Sequence, residues 1–492
     1  MQKIKKFRIN KNNDSLENIK EIKRNVEYFC EQKHITNLNS ALSKILDIPD
    51  KVLLKKTKQI VYRCFDFEDR NPRFKINLNI IDTLKYTIFF LIFCFFQKKI
   101  PQAKIKRQKF DLILDNVSES IILDKFSNLL TFFKKSLILT NKNVLKKTTK
   151  KENYKLINKN FSLFSNEILK NKKKELFIFL KQLLLLSTKL NLNLLKIYFL
   201  IFYTSLKYYR IFKTYESDIL IFDRIYHTCP LRNFLFKKNG GKKILCVQSH
   251  LAEGSISVFS DIDILVTFGK EKDTRKKLEM LGGKINDSFS CGSLLMEYRL
   301  KDDLISNTLE PIDILFVGLN PYSWLKTSKE IPKIYYEQMQ WIVEISKRYP
   351  NLNILYKHHI NFKGDPIEKK IFKSSRIPTI IKPEENLTSY NFLVKSKLIL
   401  SFGSTMILEG ISLGKDCYFL DPELKNSIFF ENLDYLKDYR ISNFKELDKI
   451  VSKLDEKPGK KLQEINDNCC LSHNKASERI FKYISSYQKI PQ

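Results

Sequence analysis

Residues 398–422, LILSFGSTMILEGISLGKDCYFLDP, combine small polar residues and one carboxylate between apolar runs. The pattern predicts a strand, a turn, an apolar helix and a second strand. Gly403 allows a sharp turn, after which Ser404 and Thr405 stand at the helix start, where free N–H groups favour an anion. Thr405 and Glu409 share a helix face. We therefore predict phosphate binding at Ser404 and Thr405 and ribose binding at Glu409. The alternative is simple N-capping by Ser404 with Glu409 at the surface.

A second group of polar residues follows the predicted strand in NILYKHH, residues 353–359. Lys357 provides a point charge for phosphate, and the imidazole of His358 can donate to phosphate or relay a proton. His359 is a further residue that could line the cleft. The alternative is an ordinary solvated loop.

Two more segments place polar residues after apolar runs. His250 and Glu253 follow a predicted strand in CVQSHLAEGS, and either could act as a general base. Gly292 and Ser293, in SFSCGSLLME, end another predicted strand and could approach a ligand in a cleft.

The elements that must position these residues alternate between short apolar strands and helices. The alternation occurs in two series, with a break between Tyr298 and Pro311. It predicts an α/β fold with two Rossmann-like, doubly wound parallel sheets. The predicted parts are a basic helical region over residues 1–106, a first α/β domain over 107–305 and a second over 306–492.

Two apolar segments suggest contact with a membrane surface. The run at residues 87–96 would form a helix about 15 Å long, too short to span a bilayer. The segment 174–213, taken as one helix, carries a basic stripe about 80° wide on an apolar body. Such a helix suits a membrane interface, and an ordinary core helix is the alternative. The stripe comprises Lys181, Lys189, Lys196, Lys207 and Arg210.

The composition adds a net charge of +33, which favours a polyanionic partner, although AT-rich coding would also enrich lysine. Aromatic residues lie in apolar runs rather than beside the lysines, so we expect no nucleic-acid partner. Nine cysteines without metal-ligand spacing indicate a reducing compartment. The amino terminus has no apolar signal region, so we expect a cytoplasmic protein, peripheral on the inner face of the cell membrane.

Together these motifs resemble GT-B glycosyltransferases of bacterial surface-polysaccharide biosynthesis, of the CDP-glycerol glycerophosphotransferase and polysialyltransferase type. The motifs that carry the resemblance are DILVTFGKEKDTRKKLEMLGG with GSLLME, NILYKHH, and SFGSTMILEGISLGKDCYFLDP. His359 stands where that family usually has proline, and VQSHL matches its QHG segment only loosely. The resemblance covers residues 215–425 well and the first hundred residues not at all.

The resemblance implies an enzyme that binds a nucleotide-sugar or CDP-polyol donor in the second domain. It implies a lipid-linked or polysaccharide acceptor in the first domain. Lys357, His358, Ser404 and Thr405 would contact phosphate, and His250 or Glu253 would be the base. No cofactor and no metal are expected, and the DID of residues 261–263 is interpreted as structural. Two alternatives stay open: a nucleotide-sugar epimerase of the same fold, and a non-enzymatic polyanion-binding protein.

Overall fold

The fold is taken from a computed structural model of the 492-residue chain. The structure describes residues 16–67, 78–95, 107–115, 120–140, 153–159, 169, 171–249, 251, 257–300, 309–318, 330–359, 365–373, 375, 377–380, 388–424, 430, 432–454 and 467–488.

The amino-terminal part is helical, as its lysine-rich amphipathic sequence predicts. Its helices are α1 Leu16–Glu31, α2 Lys33–Leu46, α3 Asp50–Phe67 and α4 Ile80–Phe95. Their buried apolar side chains, such as Val26, Leu42 and Val61, belong to the same hydrophobic core as the first α/β sheet. The helical region therefore packs directly on the first domain.

The first domain contains a seven-stranded parallel sheet with the order β4-β3-β2-β6-β7-β8-β9. A two-stranded pair, β1 with β5, lies beside it. The strands are β1 Gln108–Lys109, β2 Leu112–Asp115, β3 Ser136–Thr140, β4 Tyr154–Asn158, β5 Tyr215–Glu216, β6 Ile219–Asp223, β7 Lys243–Val247, β8 Asp261–Thr267 and β9 Lys284–Ser290. The helices are α5 Ser120–Thr131, α6 Lys173–Leu190, α7 Leu194–Thr214, α8 Pro230–Lys238, α9 Asp273–Met280 and α10 Leu294–Arg299.

The second domain contains a six-stranded parallel sheet with the order β12-β11-β10-β13-β14-β15. Its strands are β10 Ile312–Val317, β11 Ile354–Lys357, β12 Thr379–Ile380, β13 Ser396–Ser401, β14 Asp416–Leu420 and β15 Arg440–Ile441. Its helices are α11 Glu330–Arg348, α12 Pro366–Lys373, α13 Ser389–Lys395, α14 Met406–Ile411 and α15 Phe444–Val451. The predicted fold class, two Rossmann-like, doubly wound domains with an additional helical region, is confirmed.

The last helix, α16 Ala476–Gln488, crosses back to the first domain. Its Ile480 and Ile484 lie in a core with the apolar residues of β2 and β7. The Tyr483 ring stacks on Phe289 of β9, with the ring centroids 3.9 Å apart. Residues 476–488 therefore pack on the first sheet, although the sequence analysis assigned them to the second domain.

The prediction of one helix over residues 174–213 is wrong, because the segment forms α6 and α7. Asn191 adopts a left-handed conformation at φ 53° and ends α6, and the Asn193 side chain caps the start of α7. Asparagine tolerates the left-handed region better than most residues, which explains the break. The basic stripe is therefore divided between two helices, and Lys196 is buried rather than exposed. Among the described residues, none of the helices has the length and apolar character needed to cross a membrane.

Candidate functional site

Each sheet has one point at which the chain reverses its direction of travel across the sheet. In the first sheet this switch point lies between β2 and β6, and in the second between β10 and β13. Ligands of doubly wound sheets bind outside the carboxyl ends of the strands at such points. The residues at these four strand ends are therefore the first candidates for a functional site.

The second switch point contains the predicted Gly403–Thr405 turn. Ser401, the last residue of β13, donates its hydroxyl to the Val317 carbonyl at the end of β10. Its Oγ accepts from the Gly403 and Ser404 amides at 3.4 and 3.1 Å. Ser401 and Ser404 thus hold part of the turn by local hydrogen bonds. Thr405 is half-buried and directly precedes α14.

Lys357 and His358 lie at the end of β11, next to β10. Lys357 is buried, which lowers the pKa of its ammonium group, and its Nζ donates to the His358 carbonyl at 3.3 Å. The Nδ1 of His358 lies 2.7 Å from the Glu368 Oε1 of α12. The Glu368 carboxylate therefore lies beside the His358 ring, and the adjacent His359 is partly exposed.

Glu409 does not lie open to a ligand in this structure. Its Oε1 accepts from the Ser293 hydroxyl at 2.5 Å and from the Tyr390 hydroxyl at 2.9 Å. Burial raises the pKa of Glu409, and these two hydrogen bonds offset only part of that effect. The alternative that places Glu409 at the surface is therefore wrong, because α14 packs against the first domain at this residue.

Ser293 belongs to the first domain, so its bond to Glu409 joins the two domains. The preceding Gly292 has φ +91°, and a Cβ there would lie 2.8 Å from the Leu471 carbonyl oxygen. Leu251 and Phe268, which follow strands of the first sheet, pack in the core of the second domain. The carboxyl ends of the strands of the first sheet therefore face the second domain, and Gly292 and Ser293 lie at the interface between the domains.

The first switch point contains a buried ion pair that the sequence analysis missed. Asp223 ends β6, and its Oδ1 lies 2.7 Å from the Nζ of Lys125 in α5. Ser249 donates to Asp223 and accepts from Lys125. Burial alone would raise the pKa of Asp223, but Lys125 lowers it below its usual value. The charge of Lys125 also opposes the rise that burial causes in the pKa of Glu409, so Lys125 acts on a residue of the second domain.

The residue after Asp223 carries backbone strain at this strand end. Arg224 has φ 70° and ψ 122°, a combination that non-glycine residues rarely adopt. Such strain clusters at ligand-binding and catalytic sites. A carboxylate that ends a buried apolar run, as in ILIFD, is the sequence signal that could have identified Asp223.

The two predicted bases, His250 and Glu253, lie outside the described residues. Their neighbour Ser249 is described, and it lies against Asp223 and Lys125 at the first switch point. The two aspartates of the DID segment lie at the start of β8, at the opposite end of the strands from the switch point. Asp261 pairs with Lys55 and Asp263 with Lys237, at 2.9 and 2.6 Å.

Comparison with known proteins finds no match to a family model and none to a curated protein. Among solved structures, UDP-bound MnaA of S. aureus is 16% identical over 78% of this chain and 98% of its own, with a TM-score of 0.46. The UDP-GlcNAc 2-epimerase of Methanocaldococcus jannaschii is 15% identical, over 77% of this chain and 100% of its own, with a TM-score of 0.42.

The wall teichoic acid polymerase TagF is 11% identical, over 84% of this chain and 99% of its own, with a TM-score of 0.42. At such low identities and TM-scores, these similarities do not indicate what this chain binds. The candidate site therefore depends on the two switch points and the interface between them.

Proposed function

We propose that the protein transfers a sugar or a polyol phosphate from a nucleotide-activated donor to a lipid-linked or polysaccharide acceptor of the cell surface. The observation that carries this proposal is the bond between Ser293 and Glu409. This hydrogen bond joins the residues that follow β9 of the first sheet to helix α14, which follows the second switch point. A donor in one domain and an acceptor in the other would thus meet at one interface.

In this proposal the second domain binds the donor. Lys357, His358 and the start of α14 at Ser404 and Thr405 would meet the charge that develops on the leaving phosphate. Glu409 would accept from the ribose hydroxyls once the domains separate and Ser293 withdraws. Reclosure would then exclude water from the activated donor.

The first domain would bind and activate the acceptor. The proposed reaction is a single displacement without a metal ion, in which His250 or Glu253 takes the proton of the acceptor hydroxyl. The position of Ser249 beside Asp223 supports this, because His250 is the next residue in the chain. Lys125 would hold Asp223 in place beneath the acceptor.

Nucleotide binding tests the donor half of the proposal. We expect UDP, CDP, CMP, GDP or dTDP to raise the melting temperature at millimolar concentration, because ligand binding stabilises the folded state. Thr405→Val and Lys357→Met should reduce the shift. Lys397→Met is the matched control, because Lys397 pairs with Asp313 near the amino-terminal ends of the same strands, away from the candidate site. The proposal fails if none of the five nucleotides stabilises the protein.

Turnover with acceptor tests the reaction. We expect His250→Ala or Glu253→Ala to lower the rate by about 10²-fold or more, the usual contribution of a general base. Unchanged rates in both variants would remove these two residues as bases. Interconversion of a nucleotide sugar without any acceptor would instead identify an epimerase.

A membrane location is also part of the proposal, and helix α4 supports it. Five apolar side chains of α4 are between 36% and 84% exposed and fall within a sector of about 120°. They are Ile80, Ile81, Leu84, Ile88 and Ile92. The neighbouring α6 exposes Phe177 and Ile178 between Lys174 and Lys181, and Leu185 one turn beyond Lys181. Apolar residues interleaved with lysines suit the interface of an anionic bilayer.

Flotation with vesicles tests this location. We expect binding to vesicles that contain phosphatidylglycerol, and weaker binding to vesicles of phosphatidylcholine alone. Leu84→Ser with Ile88→Ser should reduce binding to both. The control is Ile367→Ser, which removes an exposed apolar side chain of the second domain. Equal flotation of the double variant and the control would contradict the proposed contact.

A further inference from the structure

A second buried cluster at the first switch point contains far more positive than negative charge. Asp115 ends β2, and its Oδ1 lies 2.8 Å from the Nζ of Lys159. Its Oδ2 accepts from Arg232 Nη1 at 2.9 Å and from the Tyr208 hydroxyl at 2.8 Å. All four side chains are buried. The single carboxylate is therefore shared by two cations.

The other terminal nitrogen of Arg232 has no hydrogen-bond partner among the described residues. Arg232 is only 1% exposed, and its guanidinium lies 4.0 Å from the centre of the Phe222 ring. A buried charged donor without an acceptor is costly, so natural proteins rarely keep one without a reason. The planar guanidinium group carries several N–H donors, so it can bind a second oxyanion in addition to Asp115.

Three further cations surround the same place. Burial, Arg63 and Arg232 lower the pKa of Lys56, although the Cys229 thiol opposes them. The pKa of Lys207 is lowered to about 8, by burial first and then by Lys159. The Nζ of Lys207 lies 5.0 Å from the centre of the Tyr208 ring, and the hydroxyl of that ring donates to Asp115. The cationic cluster thus has five members: Lys56, Arg63, Lys159, Lys207 and Arg232.

The cationic cluster adjoins the proposed reaction centre. Asp115 pairs in register with Phe222, so Asp223 lies one residue further along the neighbouring strand, and its side chain points to the other face of the sheet. Arg63 donates to the Tyr226 carbonyl, and Arg232 donates weakly to the His227 carbonyl. Both groups therefore reach the loop that follows Asp223 at the first switch point.

We propose that the cationic cluster binds a phosphate group of the acceptor and so positions its hydroxyl at the loop that follows Asp223. The inference rests on the proposed function, because it assigns the class of acceptor. Five cations face the carboxylate of Asp115 and the sulfur of Cys229, whose pKa is lowered, and a dianionic phosphate balances the remaining excess better than a single carboxylate ligand. One phosphate oxygen would accept from the unpartnered Nη2 of Arg232. The phosphate would belong either to a lipid diphosphate or to a phosphorylated polyol.

Calorimetry and thermal shift at constant ionic strength test the site. The probes are inorganic phosphate, pyrophosphate for the lipid diphosphate, and glycerol 3-phosphate for the phosphorylated polyol. We expect Lys56→Met and Lys207→Met each to weaken phosphate binding at least fivefold. Lys58→Met is the matched control on α3, because Lys58 pairs with Glu31 away from the cluster. The relative affinities of the last two probes would identify the source of the phosphate.

Arg232→Lys keeps the positive charge but removes the guanidinium group with its two terminal nitrogens. It should weaken phosphate binding at least tenfold. Should that variant fail to fold, the Lys56 and Lys207 variants still decide the question. The inference is overturned if phosphate stabilises the wild type no more than chloride does at equal ionic strength. It is also overturned if Lys58→Met weakens binding as much as the cluster variants do.

The nucleotide panel separates this inference from the proposed function. We expect Lys56→Met to keep the nucleotide-induced shift while losing the phosphate-induced shift. A nucleotide shift without phosphate binding would overturn only the acceptor site. Phosphate binding without any nucleotide-induced rise in melting temperature would support the anion site and contradict the proposed transferase function.

Discussion

Asp115 and Glu409 are both buried carboxylates near a switch point, yet their surroundings shift their pKa values in opposite directions. Lys159 and Arg232 outweigh the effect of burial and hold the pKa of Asp115 well below its usual value. Glu409 has hydroxyl partners, Ser293 and Tyr390, and burial raises its pKa. In the first sheet a buried carboxylate is paired with buried cations, whereas at the domain interface the buried carboxylate has neutral hydroxyl donors as partners, which a ligand could replace.

Asp115→Asn should have the largest effect on stability. The substitution leaves Lys159 and Arg232 buried without their shared carboxylate, so we expect a loss of about 3–5 kcal/mol in the free energy of unfolding. Urea denaturation measures it. The control is Asp218→Asn, because Asp218 pairs with the largely exposed Lys242 and should cost less than about 1 kcal/mol. Equal losses of unfolding free energy in both variants would contradict the expected difference between a buried and an exposed ion pair.

Glu409→Ala should cost about 1–3 kcal/mol, because it leaves two buried hydroxyl donors without an acceptor. Glu409→Gln keeps an acceptor oxygen and should cost less at neutral pH. Thermal unfolding of the two variants at pH 7 measures the difference. If Gln destabilises as much as Ala, the contact with Ser293 and Tyr390 does not contribute as the structure indicates.

The pH dependence of stability tests the raised pKa of Glu409. The folded pKa of Glu409 is raised, so the folded state keeps the proton to higher pH than the unfolded state does. The free energy of unfolding should therefore fall as pH rises from the ordinary carboxyl value through the raised one. Glu409→Gln should remove this fall in a series of denaturation curves from pH 4 to pH 8. An unchanged pH profile in the variant would contradict the raised pKa.

Phosphate binding should weaken above pH 8. Lys207, whose pKa is lowered to about 8, loses its charge there, and Lys159, Lys56, Asp115 and Cys229 are the charged groups around it. We expect the affinity to fall several-fold between pH 7 and pH 9, measured by calorimetry. Lys207→Met should bind more weakly at pH 7 and show a flatter profile. A profile as steep in the variant would assign the pH dependence to another group.

Ser293→Ala should have the smallest effect, about 0.5–1.5 kcal/mol, because Tyr390 still donates to Glu409. Removal of one hydrogen bond to the charged carboxylate should raise the pKa of Glu409 further. Thermal unfolding measures the loss, and Ser346→Ala is the control, because the Ser346 hydroxyl only bonds the Val343 carbonyl of its own helix. A loss no larger than the control's would show that the contact between the domains is weak.

Local patterns predicted much of the fold and part of the site. Apolar runs bounded by turns predicted the strands, and the Gly403–Thr405 turn follows β13 as expected. The prediction of one helix over 174–213 is wrong because Asn191 ends α6 in a left-handed conformation and Asn193 caps the start of α7. The ion pairs were missed because their partners lie far apart in the chain, by 98 residues for Lys125 with Asp223 and by 117 for Arg232 with Asp115.

The sequence by itself determined the strand and helix rhythm and the small-residue turn, because these depend on near neighbours. It also placed aspartates at strand ends in LILD and ILIFD. Only the tertiary structure decided which cations surround Asp115 and that Glu409 faces Ser293. Burial and charge act over a few ångströms in space, and separation along the chain sets no limit on which groups meet there.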